Sequence, residues 1–288
     1  MKNAVLFAAL AFAVHAAEAA TVAVDPRSLY EVSFKARVVS GLSFEDNPQL
    51  VDLMPLYVSR PSAAEEAALN SVNWRFLDKD GKRIKRAWQG GAGITLFSRE
   101  WRRFRFRVYV PDNACSLNLD ANSNRKGNRA EVSDLSVKVV PRGRVVNPNP
   151  DFSESDIYVP GWQLVSAARL STSSESRTHV ELTGGSICSD PFPLVPGRKM
   201  ILSVRGSNSR DPVSNRDMRC SLRYFASYGD TAVVSKHKRS SVVLKFKSKT
   251  EEKSLEFIVP KGVHWARIFA SGGVLERAEV CESDTLRR

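Results

Sequence analysis

The chain has 288 residues and a formal net charge of +12, with 43 basic side chains against 31 acidic ones, 4 cysteines and 42% hydrophobic residues. That length suits two domains, each large enough to bury its own core, so disulfides are permitted but not required. No C-x2-C pair occurs, which excludes a zinc knuckle, and no stretch after the first twenty residues is long and apolar enough to hold the chain in a membrane.

The amino terminus sets the expected compartment. Lys2 supplies a positive start, Ala4 to Val14 an apolar run too short to span a bilayer, and Ala17-Glu18-Ala19 an A-x-A cleavage pattern. Residues 1–20 therefore read as a signal peptide, cut after Ala19 or Ala20, and the mature protein is expected in the periplasm or outside the cell. No cysteine follows the apolar run, which argues against a lipid anchor. Formal charge is +7 over residues 20–144 and +5 over 145–288, so both halves are basic. In an exported protein such charge points to acidic surfaces rather than to nucleic acid: sulfated or uronic glycans, lipopolysaccharide or anionic wall polymers. The plainer reading is that the charge serves solubility.

Pro26-Arg27 leads into the alternating run Tyr30 to Ala36, a half-buried strand. Residues 40–71 then hold Pro48, Pro55, Pro61 and a helix-prone Ala63 to Leu69. Trp74 to Leu77 is the next apolar strand and enters an Asp80-Gly81 turn, followed by a basic return strand from Lys82 to Arg86. Arg102 to Tyr109 alternates polar with apolar residues and stops at Val110-Pro111, as a strand must where proline cannot donate to the ladder. Ala130 to Leu135 reads as a closing strand.

The second half repeats this order. Pro196-Gly197-Arg198 precedes Met200 to Val204; Leu222 to Phe225 precedes Gly229; Glu251 to Ile258 stops at Val259-Pro260, about 149 residues after its counterpart; Leu275 to Val280 closes the module. The chain thus reads as two copies of one β module, residues 21–144 and 145–288. The first copy carries an insertion near 40–71 and lacks opening strands. The second has a leader, 147–185, and Val145 to Pro150 is the linker, broken by two prolines and two asparagines.

The leader motifs Asn149-Pro150-Asp151-Phe152, Pro160-Gly161-Trp162 and Pro193-Leu194-Val195-Pro196-Gly197-Arg198, with Glu100-Trp101-Arg102-Arg103-Phe104 and Val132-Ser133-Asp134-Leu135 in the first copy, resemble secreted carbohydrate-binding modules of the galactose-binding-like jelly-roll type. The resemblance covers nearly all of 147–282 and much of 26–140. It implies an all-β chain of two antiparallel jelly-roll sandwiches, with Trp74, Trp101 and Trp162 as buried framework residues. It also implies a structural calcium near the opening and closing strands, with Asp134, Asp151 and Glu279 as weak ligand candidates.

Sugar rings stack their C–H faces on exposed aromatics, so the tryptophans outside the framework are the binding candidates. Trp88 lies in a polar, basic segment. Trp265 alternates with Arg267 and Phe269; aligning Leu117 and Leu119 with Ala266 and Ile268 as the core face sends Trp265, Arg267 and Phe269 outward, where they would line a glycan groove. A register shift of one residue would instead bury that row. Arg103, Arg105 and Arg107 are expected outward opposite Phe104, Phe106 and Val108, about 6.6 to 7 Å apart. They serve either as a ladder for successive sulfates or carboxylates or as a solvated strand face compensated by neighbouring acids.

Enzyme chemistry finds little support. The histidines after the leader, His179, His237 and His264, accompany no nucleophile motif, there is no G-x-S-x-G, and a lyase assembled from Tyr224, Arg223 and His264 is only a formal possibility. The expected function is non-catalytic binding of an extracellular or envelope glycan, anionic in preference, without nucleic acid or a membrane span. The rival is a structural or protein-interaction tandem that binds no sugar, and a polysaccharide lyase is the third option. The pairing of Cys115, Cys188, Cys220 and Cys281 and the oligomeric state are left open.

Overall fold

The computed structural model describes residues 19–43, 45–46, 70–84, 93–121, 127–153, 159–166, 169–172, 178–182, 185–208, 217–230, 241–247 and 249–283. Residues 1–18, the Ala63 to Leu69 segment and Trp88 lie outside them. All regular elements among the described residues are strands, and none is a helix long and apolar enough to cross a membrane.

Among these residues the chain is all-β, built from antiparallel sheets. The first half contributes β1 (Ala19–Ala23), β2 (Leu29–Ser40), β3 (Asn70–Leu77), β4 (Gly93–Leu96), β5 (Arg102–Tyr109), β6 (Ser116–Ala121) and β7 (Arg129–Val140). They form one sheet in the order β5-β2-β7 and another in the order β1-β6-β3-β4. The second half contributes β8 (Trp162–Ser166), β9 (Arg169–Thr172), β10 (Thr178–Glu181), β11 (Ser186–Ser189), β12 (Phe192–Pro193), β13 (Lys199–Ser207), β14 (Arg219–Phe225), β15 (Ser241–Lys245), β16 (Glu251–Ile258), β17 (Trp265–Ser271) and β18 (Val274–Glu282). Their sheets run β16-β13-β18-β10-β9 and β15-β14-β17-β11-β8, with β12 paired to β17.

The internal repeat is visible in these orders. β5-β2-β7 is matched by β16-β13-β18, and β4-β3-β6-β1 by β15-β14-β17-β11. β1 takes the place of β11, so the first half keeps one opening strand where the sequence suggested none.

Alternation drives the packing. β2 buries Tyr30, Val32, Phe34, Ala36 and Val38 and turns the intervening residues out. Phe34 stacks on Phe104 at 5.4 Å between ring centroids, and Trp74 of β3 stacks on Phe106 at 4.1 Å, joining the two sheets of the first half. In the second half Tyr224 of β14 meets Phe257 of β16 at 6.1 Å, which fixes the inner face of β14 and, through the Tyr224–Ala266 and Leu222–Ile268 pairs, that of β17. Each buried Leu or Phe on these faces contributes about 1.5 to 3 kcal/mol against solvent exposure.

Two expectations change. Val145 to Pro150 is not a bare linker: Val146 N–H bonds the Val280 carbonyl at 2.8 Å, and Asn147 bonds the backbone of Ala278 and Val280 at 2.9 and 2.7 Å. Asparagine carries a donor and an acceptor and so serves as a side-chain strand partner for β18. β16, expected half-buried like β5, is mostly exposed, with Leu255 at 42% and Ile258 at 66%; both are outer strands, but β5 is covered by the stacking of Phe104 on Phe34 and of Phe106 on Trp74. The motif tying the leader down is as the sequence suggested. Trp162 packs on Phe152 at 5.1 Å and its indole N–H donates to the Asn149 carbonyl at 2.9 Å. All four cysteines are free thiols.

Candidate functional site

Two surfaces gather the candidate residues, one in each half. The first is the outward face of β5-β2-β7. Arg103 and Arg105 are exposed and Arg107 half-buried, while Phe104, Phe106 and Val108 point inward. Register places Arg103 opposite Lys35, Arg105 opposite Ser33 and Arg107 opposite Glu31. Like charges facing one another are unfavourable, and compensation comes from acids on the neighbouring strands. Glu31 pairs with Arg107 at 3.3 Å, Asp134 with Lys35 at 2.7 Å and Glu131 with Arg37 at 2.7 Å. Among the described residues basic side chains outnumber acids on this face: Arg37, Arg103, Arg105, Arg107, Lys35 and Lys138 stand with Glu31, Glu131 and Asp134. The face carries an excess of positive charge.

Trp101 belongs to this face. Expected in the core as a framework residue, it is 42% exposed, because it shares the parity of Arg103 rather than that of Phe104. The Arg37 guanidinium lies 4.8 Å from its ring centroid, a cation–π contact, and Glu131 holds Arg37 in place. The even–odd pattern of β5, continued two residues upstream, was the signal that would have found it.

The second surface is the outward side of β17. Trp265, Arg267 and Phe269 do turn away from the sandwich core, as the alignment with Leu117 and Leu119 required, but they are not exposed: they are 0%, 1% and 8% accessible. The open aromatic row expected from the sequence is therefore corrected to a covered one. Trp265 is covered where the two halves meet. Its indole N–H donates to Asp112 Oδ2 at 3.0 Å, and Tyr228 sits edge-on to it at 5.2 Å and edge-on to Phe76 of β3 at 6.1 Å. Arg27 also pairs with Asp112. Partial burial pushes the Asp112 carboxyl up, but hydrogen bonds from Arg27 and Trp265 and the nearby charges of Arg27 and His264 outweigh it and hold the group below its ordinary value.

Further along β17, Arg223 of β14 lies directly opposite Arg267 and its guanidinium stacks 3.9 Å from the Phe269 centroid. Cys188 of β11 is opposite Phe269, and Gln163 of β8 is opposite Cys188, so these side chains share the face. Gln163 Nε2 donates to buried Asp190 at 2.7 Å.

Other candidates are not brought together. Asp134 pairs with Lys35 of the first half; Asp151 accepts from Ser153 at 2.7 Å; Glu279 pairs with Arg277 at 2.6 Å. Hydrogen bonding to Glu279 raises the Arg277 pKa despite partial burial, and the charge of Asp151 adds to it. The cation that Asp151 and Glu279 share is thus an arginine, and among the described residues no group of three metal-ligating side chains converges. The lyase combination also separates. Tyr224 faces the core with burial pushing its pKa up to about 12, while Arg223, one residue earlier, faces the opposite side.

No family model matches the chain, and no curated protein does. The solved structures it is similar to are mostly carbohydrate-binding modules. The N-terminal tandem of CBM22 domains of Paenibacillus barcinonensis Xyn10C is 12% identical with a TM-score of 0.32, over 91% of this chain and 82% of that one. The C-terminal CBM6 of a laminarinase from Zobellia galactanivorans is 13% identical with a TM-score of 0.29, over 41% of this chain and 90% of that one. The extracellular domain of ANXUR2 from Arabidopsis thaliana is 7% identical with a TM-score of 0.29, over 93% of this chain and 81% of that one.

Proposed function

We propose that the chain is a secreted or periplasmic tandem of two β-sandwich modules, 21–144 and 145–288, that binds an anionic polysaccharide without catalysing its turnover, and that the outward face of β5-β2-β7 is the binding surface. The observation that carries this reading is the arginine row, exposed at Arg103 and Arg105, on a face where basic side chains outnumber acids among the described residues. Alternate residues on one face of a strand repeat every 6.6 to 7 Å or so, and guanidinium forks match sulfate and carboxylate geometry. Trp101 adds an aromatic surface on which a sugar ring can stack at the end of the row.

Affinity gels containing a sulfated or uronic polymer, run beside gels containing a neutral glucan, test the reading. Surface charges act over a Debye length of about 8 Å at physiological salt, so retardation by the acidic polymer should fall steeply between about 50 and 500 mM salt, while any retardation by the glucan should not change. Replacing Arg103, Arg105 and Arg107 together by glutamine should leave the fold intact and flatten the salt dependence. Equal mobility of wild type and variant on every gel would refute the ladder and favour a scaffold that binds no sugar.

A further inference from the structure

Arg267 poses a physical problem that the ladder does not address. The side chain is 1% accessible, and among the described residues no oxygen acceptor meets either of its terminal guanidinium nitrogens, the Cys188 thiol, a weak acceptor, lying beside the guanidinium. Removing a charge from water without a partner is among the costliest arrangements a fold can hold. Opposite it stands a second guanidinium, Arg223, where like charges on paired strands repel. Arg223 is half-buried and held over the Phe269 ring.

The groups around this pair define what is missing. Among the described residues Asp190 is the carboxylate of the cluster, buried and bonded by Gln163, with no ion pair to either arginine. Burial pushes the Cys188 thiol up to about 11, against the opposing pull of the Arg267 charge, so this neighbour stays neutral. Two cations and one anion leave a net charge of +1. Gln163 Oε1 is also buried without a donor, and its orientation is set because Asp190 requires the amide N–H. Among the described residues the cluster thus lacks one monoanion that accepts from guanidinium N–H groups, together with one hydroxyl donor.

We propose that Arg267 and Arg223 bind the carboxylate or sulfate ester of a single acidic sugar residue on the outward side of β17, with Gln163 Oε1 accepting one of that sugar's hydroxyls. The ligand approaches from the Arg223 side, the half-exposed edge of the cluster. This site is separate from the arginine row of the first half and does not depend on it.

Thermal unfolding of the full chain, titrated at constant ionic strength with sodium glucuronate, glucose 6-sulfate or neutral glucose, tests it. A ligand bound only by the folded state raises Tm with the logarithm of its concentration once the site fills. The wild type should show such a rise with glucuronate, glucose 6-sulfate or both, the acid that works identifying the group, and none with glucose. Arg267→Met keeps the side-chain length without the charge, and Arg223→Gln removes the outer guanidinium. Each should weaken the acid about tenfold or more, the loss of one charge-assisted contact. Should Arg267→Met fail to fold, Arg223→Gln carries the test alone. The variant with glutamine at 103, 105 and 107 should respond as wild type does. No rise in the wild type, a rise undiminished by Arg223→Gln, or a rise lost in the ladder variant would each overturn the site.

Discussion

β6 and β17 are the same strand in two copies, and their outward faces have opposite fates. Both turn apolar residues to the core, Leu117 and Leu119 in one and Ala266 and Ile268 in the other. On the other side β6 presents Ser116, Asn118 and Asp120, partly exposed, with Asp120 paired to Arg75 at 2.5 Å. β17 presents Trp265, Arg267 and Phe269, all buried. A strand flanked by neighbours and solvated on one side can carry polar residues there. A strand covered on both sides reads as continuously apolar, and the arginine within it then stands out.

Replacing Trp265 by alanine should give the largest effect. The indole is fully buried between Tyr228 and Asp112, so chemical denaturation should register a loss of about 3 to 5 kcal/mol. The matching change on β6, Ser116→Ala, should be close to neutral. Equal, small effects would mean that Trp265 is not covered in solution.

Asp112→Asn probes the contact between the halves. The carboxyl is held below its ordinary value when folded, so its contribution is fully present above the unfolded value near 3.9 and lost as pH falls through the lower, folded value. Unfolding midpoints measured from pH 6 downward should therefore fall less steeply through this acid range in Asp112→Asn than in wild type. Parallel profiles would remove Asp112 from the acid response.

Trp101→Ala should cost only about 0.5 to 1 kcal/mol, the value of its exposed cation–π contact with Arg37, while weakening retention on the acidic-polymer gel. Unfolding of the first half in this variant would place Trp101 in the core after all. The smallest stability change should come from Arg105→Gln, within about 0.5 kcal/mol, since that side chain lies on the solvent side of β5. A larger loss in denaturant would show that the row is structural.

Much of the fold was legible because strand periodicity and proline stops are local. Alternation in Tyr30 to Ala36 and Arg102 to Tyr109 gave the inner and outer faces correctly, and the spacing between copies aligned β6 with β17 in the register observed. The first arginine row followed directly from this. Trp101 was also within reach, since its parity with Arg103 is a property of the chain, but its place beside a family motif drew it into the core. β16 shows the opposite limit: its alternating pattern resembles that of β5 and both are outer strands, yet rings of β2 and β3 cover β5 while Leu255 and Ile258 stay in solvent.

Alternation alone assigns which side of each repeated strand faces the sandwich, because side chains alternate with a period of two whatever surrounds them. Whether the other side meets water depends on packing between distant segments. Asp112 and Tyr228 reach Trp265 from segments distant in sequence, Arg223 reaches Phe269 from a neighbouring strand, and Asn147 docks Val145 to Pro150 along β18. Each of these contacts joins residues more than 30 positions apart, and no local pattern encodes how such segments meet.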